Sequence, residues 1–193
     1  LELLGTDYID LMFIHQPAGD FMAGYRKLEK AYKEGKIKSI GISNFQGVAL
    51  KKLLEECEIK PHVIQMEAHP YYRDEETIAA LAPCGCCVMA WYPLGHGDHA
   101  LLEEPVVKEL AEKYGKSTAQ VILRWHTQVG NIVIPGSTNP EHIKANLNIF
   151  DFELTEEEMK QMAGLNKNVR YYYPDGEKLA AYVNMKIDLD SQK

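Results

Sequence analysis

The stretch YIDLMFIHQP, residues 8–17, decides the fold that this sequence predicts. It is an almost wholly apolar run that ends at a proline, which is typical of a strand buried on both faces in a parallel sheet. His15 stands at the C-terminal end of this run. A histidine in that position is either a polar residue of the strand end or a catalytic residue.

Four more apolar runs follow, and each is short and rich in Ile, Val or aromatic residues. They cover residues 37–43, 63–69, 87–92 and 132–137. Helical patterns lie between and after them, at residues 21–34, 46–57, 74–82, 103–127, 139–148 and 155–165. Strands that alternate with helices predict an α/β fold with a parallel sheet and right-handed crossovers. A repeat of about 30 residues favours the (β/α)8 TIM-barrel family, here as a partial barrel with about five parallel strands.

A doubly wound open sheet is the alternative fold, since it would also accommodate five strand–helix units. Its usual Gly-rich phosphate loop is missing, because QPAGDF follows His15 and no G-x-G-x-x-G pattern occurs in the sequence. We therefore predict a partial β/α barrel over residues 1–165. A C-terminal tail, irregular or partly helical, is predicted over residues 166–193.

Several helical patterns carry start signals. Asn44 and Asp74 stand where a side chain would cap the helix that follows. Thr155 and Glu158 have the spacing of a capping box. The long pattern at 103–127 predicts two helices that are separated at YGKST.

Composition and charge restrict the class of protein. The 193-residue chain has a formal net charge of −7, with 46% hydrophobic and 25% charged residues, which is typical of a globular protein with a sizeable core. Clusters of Lys and Arg are missing, which argues against a nucleic-acid partner. Three of the four cysteines crowd into CGCC at residues 84–87 without the spacing of zinc ligands, so we expect reduced thiols and no metal. No basic leader and no apolar run of about 20 residues occurs, which predicts a cytoplasmic protein without a membrane partner.

Polar and aromatic side chains stand near the C-terminal ends of the predicted strands, which converge on one rim in a parallel β/α fold. A flat ring with a carboxamide group could stack there on Trp91 and exchange hydrogen bonds with Ser43, Asn44 and Gln65. Plainer interpretations exist, since Asn44 could cap a helix and Trp91 could pack in the core. Gln65 is harder to explain in that way, because a buried amide needs partners.

Two other features have weaker signals. His62, His99 and His126 show no spacing typical of metal ligands, so they are predicted to be surface or packing residues. The Gly-rich turn PLGHGDH, residues 93–99, could bring backbone amides close to a pyrophosphate.

Six stretches together make the chain similar to the C-terminal part of the aldo-keto reductases. They are DYIDLMFIHQP, EGKIKSIGISNF, VIQMEAHP, AWYPLGHGD, STAQVILRW and IPGSTNPEHIKANLNIFDFELTEEEM, in the family's order and at its spacing, from the first residues to about Leu165. The resemblance implies a (β/α)8 barrel that binds NADPH or NADH without a Rossmann domain. It also implies reduction of aldehydes and ketones, small-molecule carbonyl substrates, to alcohols.

The resemblance implies a role for individual residues. His15 corresponds to the histidine of the catalytic tetrad, which orients the substrate carbonyl and supports proton delivery. Ser43, Asn44 and Gln65 would hold the nicotinamide carboxamide, and Trp91 replaces the family's stacking tyrosine. The remaining cofactor positions, on the pyrophosphate and adenosine sides, are Leu94, Gly95, Asp98, Ala119, Ile134, Pro135, Ser137, Thr138, His142 and Asn146.

Some family positions differ in this chain. Gly136 and His142 replace the lysine and arginine that usually hold the 2'-phosphate, and each charge-assisted bond lost is worth about 1.5–3 kcal/mol. A preference for NADPH over NADH is therefore not predicted. Ala145 replaces the usual glutamate at the adenine, and Gln16 replaces a tryptophan beside the substrate.

The family's catalytic Asp, Tyr and Lys belong to the first three β/α units, which precede the point at which this sequence starts. We therefore expect little turnover from the 193-residue chain alone, because a general acid for the alcohol oxygen is missing. Tyr71, Tyr72 and the tyrosines at 171–173 are conceivable substitutes, but nothing in the sequence places them beside a cation. The alternatives are an inactive fragment that binds nicotinamide dinucleotides and an oligomeric scaffold whose exposed strand edges pair between copies.

Overall fold

The computed structural model describes residues 1–173 and 176–185. Two compact units divide the chain. The first unit contains Leu1–Pro61 and the described residues from Tyr173 onward, and the second unit is His62–Tyr172. Both units contain parallel strands that alternate with helices, so the predicted α/β class is confirmed.

The first unit contains two paired strands. A 3₁₀ turn at Glu2–Leu4 comes first, and the unit's further elements are β1 (Met12–Ile14), α1 (Phe21–Lys33), β2 (Ile40–Ser43), α2 (Gly47–Glu56) and the C-terminal α9 (Gly176–Asn184). Strands β1 and β2 are parallel, with Phe13 opposite Gly41. A Cβ atom on Gly41 would lie 2.4 Å from the Phe13 ring, so the glycine makes room for that ring.

Burial differs between these two strands. All four residues of β2 are buried, and Ile40 and Ile42 are completely inaccessible. The prediction that β1 is buried on both faces is wrong, because Met12 is 42% exposed and Phe13 and Ile14 are only half-buried. The physical reason is that β1 comes first in the order of its sheet, so that among the described residues only β2 pairs with it.

The second unit contains three strands. Its strands are β3 (Val63–Glu67), β4 (Cys87–Trp91) and β5 (Ile132–Val133), all parallel, with Glu67 opposite Trp91 and Met89 opposite Ile132. Strand β5 is shorter than the run predicted at 132–137, since only two of those residues have strand pairing. Its helices are α3 (Glu75–Leu81), α4 (His99–Leu102), α5 (Pro105–Tyr114), α6 (Thr118–Val129), α7 (Pro140–Leu147) and α8 (Glu156–Ala163). Two 3₁₀ turns, Ala82–Cys84 and Gly95–Gly97, flank β4.

The core of the second unit lies where α5, α6 and α8 pack together. Trp125 of α6 is 1% exposed there, against Val107 and Leu110 of α5 and Met162 of α8. This packing positions α6, whose N-terminus is fixed by a capping box at Ser117. The next feature of α6 that matters for the site is His126, which lies one residue beyond Trp125 and is also buried.

Most of the predicted helix starts and stops are confirmed. Asp74 accepts a hydrogen bond from the backbone N–H of Thr77 and so caps α3. Thr155 and Glu158 form the predicted capping box of α8. The predicted break at YGKST separates α5 from α6, and Gly115 there has a positive φ of 62° that favours glycine.

Asn44 does not cap a helix, so that interpretation is wrong. Helix α2 begins after Gln46, whose side chain makes no capping bond. The backbone of Asn44 instead has a φ of 59°, a left-handed conformation that asparagine tolerates better than most residues. This conformation turns the chain sharply at the end of β2.

The tail is partly helical, as predicted. Residues 166–173 are irregular, and α9 follows at Gly176–Asn184. The remainder of the tail lies outside the described residues, and the predicted boundary at residue 165 stays a prediction. No helix in the described part of the chain is long and apolar enough to cross a membrane.

Candidate functional site

His15 directly follows β1 in the first unit and is exposed. Its ring meets the edge of the Tyr182 ring of α9, with centroids 5.6 Å apart and an angle of 81° between the planes. Gln16 is 8% exposed, and its Oε1 has no hydrogen-bond partner among the described residues. A cavity of about 430 Å³ lies at this place. It is lined by His15, Gln16, Ala18, Gly19, Asp20, Tyr182, Val183 and Met185.

Ser43 and Asn44 lie side by side at the end of β2, as predicted. Ser43 is 2% exposed and Asn44 is 9% exposed. The Asn44 Nδ2 donates to Ser43 Oγ at 3.3 Å. A left-handed backbone conformation costs energy for a residue other than glycine and is often found at functional sites. Asn44 has this conformation where its side chain and that of Ser43 lie together at one strand end.

Gln65 lies in the middle of β3 rather than at its end, and it is half-buried. Its Nε2 lies 3.6 Å from the Sδ of Met89 on the paired strand β4. A thioether sulfur is a weak acceptor, so this contact leaves most of the hydrogen-bonding capacity of the amide for another partner. Side chains alternate along a strand, so Gln65 points to the same side of β3 as Glu67.

Aromatic rings surround the end of β4. Trp91 is half-buried, and its ring centroid lies 4.2 Å from that of Tyr92 and 5.2 Å from that of Tyr172. Tyr92 has a φ of 54° and packs on His96 at 4.1 Å, with 33° between the planes. The segment after β4 therefore presents flat aromatic surfaces on a strained backbone.

A cavity of about 390 Å³ lies between the segment after β4 and the segment after β5. It brings together three of the predicted cofactor residues, Leu94, Ile134 and Pro135. Its lining consists of Tyr92, Pro93, Leu94, His96, Gly97, Leu102, Ile134, Pro135 and Gly136. Apolar and aromatic groups predominate in this lining, and it includes neither Lys nor Arg.

Gly95 and Asp98 help to fix the conformation of the segment after β4. A Cβ atom on Gly95 would lie 2.7 Å from Leu101, and the φ of Gly95 is 64°, so this position requires glycine. Asp98 caps α4 by accepting from the N–H of Ala100 at 2.8 Å, and it also accepts from the Tyr171 hydroxyl. The bond from Tyr171 contributes most to holding the pKa of Asp98 below its ordinary value.

The other predicted adenosine-side residues do not line this cavity. Thr138 and His142 are exposed, and Ala119, Ser137 and Asn146 are half-buried. The hydroxyl of Ser137 accepts from the backbone N–H of Asn139 at 3.1 Å, close to the start of α7. The structure therefore distributes these five residues over α6, α7 and the segment before α7.

Glu67, the last residue of β3, has no predicted role in catalysis or cofactor binding, but it has several specific partners. Its carboxylate is 1% exposed and accepts from the Nε2 of His69 at 3.1 Å and from the backbone N–H groups of Tyr171 and Tyr172 at 2.6 and 3.0 Å. Burial would raise the pKa of Glu67, but these bonds outweigh it and hold the pKa below its ordinary value. The sequence signal is an ionisable residue, two positions after Gln65, in a strand otherwise made of Val, Ile and Met.

Tyr71 corrects one expectation about the tyrosines. The Lys167 ammonium lies 3.8 Å from its ring centroid, so a cation does stand beside this tyrosine. The Tyr71 hydroxyl donates to Glu104 Oε1 at 2.6 Å. Burial, followed by this bond, raises the pKa of Tyr71 above its ordinary value. Such a phenol is a poorer proton donor than an isolated one, despite its neighbouring lysine.

No cluster of three or more His, Cys, Asp or Glu residues suited to a metal ion occurs within residues 1–173 and 176–185. The four cysteines have free thiols, and burial, with Cys84 and Cys87 nearby, raises the pKa of Cys86 to about 12.

The described residues thus form parallel β/α units with aromatic and amide side chains at or near the ends of the strands. The aldo/keto reductase family model matches residues 1–167, and the chain belongs to this family.

Individual relatives agree with this assignment. The chain is 46% identical over 171 residues to the uncharacterized oxidoreductase YtbE of Bacillus subtilis, covering 88% of this chain and 60% of that protein. It is also 46% identical over 171 residues to a glyoxal reductase of the same organism, covering 88% of this chain and 61% of that one. The chain thus spans about three fifths of the length of these relatives.

Solved structures are similar as well. An aldo/keto reductase from Brucella melitensis matches with a TM-score of 0.78 and 43% identity, over 86% of this chain and 64% of that one. A Bombyx mori aldo-keto reductase, solved in complex with NADP, matches with a TM-score of 0.77 and 34% identity, over 88% of this chain and 61% of that one. These neighbours are (β/α)8 barrels, which agrees with the predicted fold class.

Proposed function

We propose that the protein is a NAD(P)H-dependent reductase of aldehydes and ketones, and that the 193-residue chain supplies most of its dinucleotide-binding residues. The observation that carries this proposal is the cavity between the segments after β4 and β5, which contains Leu94, Ile134 and Pro135 in its lining. The glyoxal reductase relative and the NADP complex of the Bombyx mori neighbour support it.

The cavity fits the flat and apolar parts of a dinucleotide. Tyr92 and His96 provide ring surfaces, and Leu94, Leu102, Ile134 and Pro135 add apolar side chains to the lining. At Gly97 and Gly136 the space that a Cβ would occupy has no atom within 4 Å, so a ligand can approach the backbone closely there. The lining offers no Lys or Arg to a 2'-phosphate, so we propose that NADH binds about as well as NADPH.

A bound reduced nicotinamide would supply the hydride. The chain's own residues bind and orient: the Trp91 indole offers a face for stacking, and the amide of Gln65 offers hydrogen bonds to a carboxamide. Ser43 and Asn44 stay predicted as cofactor-binding residues. His15 is exposed beside the 430 Å³ cavity, where its imidazole can donate to a substrate carbonyl oxygen.

We further propose that the 193-residue chain alone has little turnover. The product alcohol needs a proton at its oxygen, and a general acid works best when its pKa lies near the operating pH. Tyr71 has a raised pKa and is 4% exposed, so it is a poor donor to a substrate. The cytoplasmic setting with reduced thiols stays a prediction.

Binding is tested by fluorescence titration of the purified 193-residue chain with NADH and with NADPH. Trp91 is half-buried beside the proposed site, whereas Trp125 is 1% exposed in the α5–α6–α8 core. We expect saturable quenching with both cofactors and midpoints that agree within about threefold, a difference below 1 kcal/mol. The variant Trp91→Phe, which keeps Trp125, is the matched control and should lose the quenching. Absence of saturable quenching in the wild-type chain would refute the proposed function.

Turnover is tested separately by following the near-ultraviolet absorbance of NADH with an aromatic aldehyde. The isolated chain should show no steady loss of absorbance above the rate without protein. A steady, protein-dependent loss that disappears in His15→Ala would show that the chain is active by itself and would contradict the proposal of low turnover.

Self-association is the second candidate function. Ile143, Leu147 and Phe150 on and after α7 are 48%, 74% and 69% exposed, which is unusual for adjacent large apolar residues. An oligomer of identical chains could bury them. Light scattering of the purified chain distinguishes the two cases, and a monomer at assay concentrations would count against the scaffold.

A further inference from the structure

His126 lies on α6 and is buried behind the 390 Å³ cavity without belonging to its lining. Its Nε2 lies 3.2 Å from the backbone carbonyl oxygen of Pro93. Its Nδ1 lies 3.1 Å from the Nδ2 of Asn131. The sequence predicts a surface or packing residue here, but both ring nitrogens of His126 have specific partners.

These partners define the protonation state of the imidazole. A carbonyl oxygen can only accept, so Nε2 carries the hydrogen and donates it to Pro93. The amide nitrogen of Asn131 can only donate, so Nδ1 is the acceptor. Burial lowers the pKa of His126 to about 3, which keeps the ring neutral at physiological pH.

One partner lies in the cavity wall after β4, and the other immediately precedes the strand that leads to the wall after β5. Pro93 lines the wall that follows β4. Asn131 immediately precedes β5, which leads directly into Ile134 and Pro135 of the other wall. The backbone N–H of Asn131 also donates to the carbonyl oxygen of His126 at 2.9 Å. The His126 side chain is therefore bonded to Pro93 in one wall and to the residue that precedes the strand leading to the other wall.

The wall at Pro93 needs such support. Tyr92, the residue before it, has a φ of 54°, which a non-glycine residue holds only where its surroundings enforce it. The bond from His126 to the next carbonyl group is one such restraint, and the packing of Trp125 in the helical core fixes the helix that provides it.

We propose that His126 and Asn131 are positioning residues that set the separation of the two cavity walls and thereby the affinity for the dinucleotide. This inference rests on the proposed function. The pair acts through Pro93 and the residues after β5, so its role is distinct from that of Trp91 and Leu94.

The test compares Asn131→Ala with Thr155→Ala, a matched control that removes a capping bond from α8. Both variants should unfold at somewhat lower denaturant concentration than the wild type. Asn131→Ala should weaken NADH binding about tenfold in the fluorescence titration, whereas Thr155→Ala should keep the wild-type affinity. Equal affinities of the two variants would overturn the inference.

A second comparison measures the NADH affinity of His126→Gln and of His126→Phe. A glutamine amide can still donate to Pro93, so His126→Gln should recover part of the affinity that His126→Phe loses. If both variants bind as weakly as each other while remaining folded, the bond to Pro93 is not what positions the wall, and the inference fails.

Hydrogen exchange in the chain without ligand separates this inference from the proposed function. Asn131→Ala should accelerate exchange in peptides that cover residues 92–97 and 132–136, while Thr155→Ala should not. If the wild-type chain binds neither NADH nor NADPH, the proposed function fails. Exchange then decides the role of the pair by itself: faster exchange at both walls supports it, and unchanged exchange overturns it.

Discussion

Replacing Glu67 by glutamine is expected to lower the free energy of unfolding by about 2–4 kcal/mol at neutral pH. The carboxylate is buried and accepts three hydrogen bonds, from His69 and from the backbone of Tyr171 and Tyr172. The Nε of Arg170 lies 3.7 Å from the Oε2 of Glu67. Glu67→Gln keeps the size of the side chain but removes its charge and turns one acceptor into a donor.

The magnitude follows from these contacts. A hydrogen bond to a charged group contributes about 1.5–3 kcal/mol, and a neutral one about 0.5–1.5 kcal/mol. In the variant, the glutamine oxygen can still accept the hydrogen bonds made to one carboxylate oxygen, although they are weaker without the charge. The NH₂ group that replaces the other oxygen would face an N–H donor, so the hydrogen bond at that position is lost. Removing a buried charge recovers part of its desolvation cost. The pKa of Glu67 is nevertheless below its ordinary value, so the site favours the charged form overall and the net change is a loss.

The pH dependence has a definite sign. Because the pKa of Glu67 is lower in the folded chain than in the unfolded one, its contribution is complete above the unfolded pKa of about 4.3 and is lost as the pH falls through the folded pKa. The gap in stability between wild type and Glu67→Gln should therefore be largest at neutral pH and should shrink in acid.

Urea unfolding followed by circular dichroism, at neutral pH and again below about pH 4, measures this gap. Glu157→Gln is the matched control, because Glu157 is 74% exposed and its substitution should change stability by less than about 0.5 kcal/mol. The reasoning is refuted if Glu67→Gln is as stable as the wild type at neutral pH, or if the gap widens in acid.

Two further outcomes are expected. Tyr71→Phe removes the hydroxyl that donates to Glu104 and should lower the free energy of unfolding by about 1–2 kcal/mol without changing NADH binding, as measured by urea unfolding and fluorescence titration. Loss of binding in this variant would show that the hydroxyl belongs to the cofactor site. Thr155→Ala removes the bond to the N–H of Glu158 and should cost about 1 kcal/mol in the same unfolding assay. No change would mean that the capping box adds nothing to the stability of α8.

Short sequence patterns predict the strands and helix starts that depend on residues close together in the chain. The buried strands β2, β3 and β4 follow from short apolar runs, and Asp74 and Thr155 follow from the spacing of capping residues. The burial of β1 was predicted wrongly, because a sequence shows the apolar character of a strand but not how many neighbours it has. The sequence at Asn44 allows a cap as one interpretation, because asparagine suits both caps and left-handed turns.

Contacts between distant positions were beyond local reasoning. Glu67 and Tyr171 are 104 residues apart in the chain, and no pattern in either stretch indicates the other. His126 and Pro93 are 33 residues apart, and a lone histidine in an amphipathic helix is usually a packing residue. Asp98 was predicted as a cofactor residue, but its bond to the Tyr171 hydroxyl depends on where the tail runs.

The dependence of Glu67 on Tyr171 and Tyr172 has a consequence for synthesis on the ribosome. Translation proceeds from the N-terminus, so Glu67 emerges long before the two backbone amides that donate hydrogen bonds to its carboxylate. Until those tyrosines have left the exit tunnel, enclosing this carboxylate in an apolar strand is unfavourable. The second unit should therefore complete its folding only after its final residues have been synthesised. A nascent chain halted before Tyr171 should be cleaved by proteases at the end of β3.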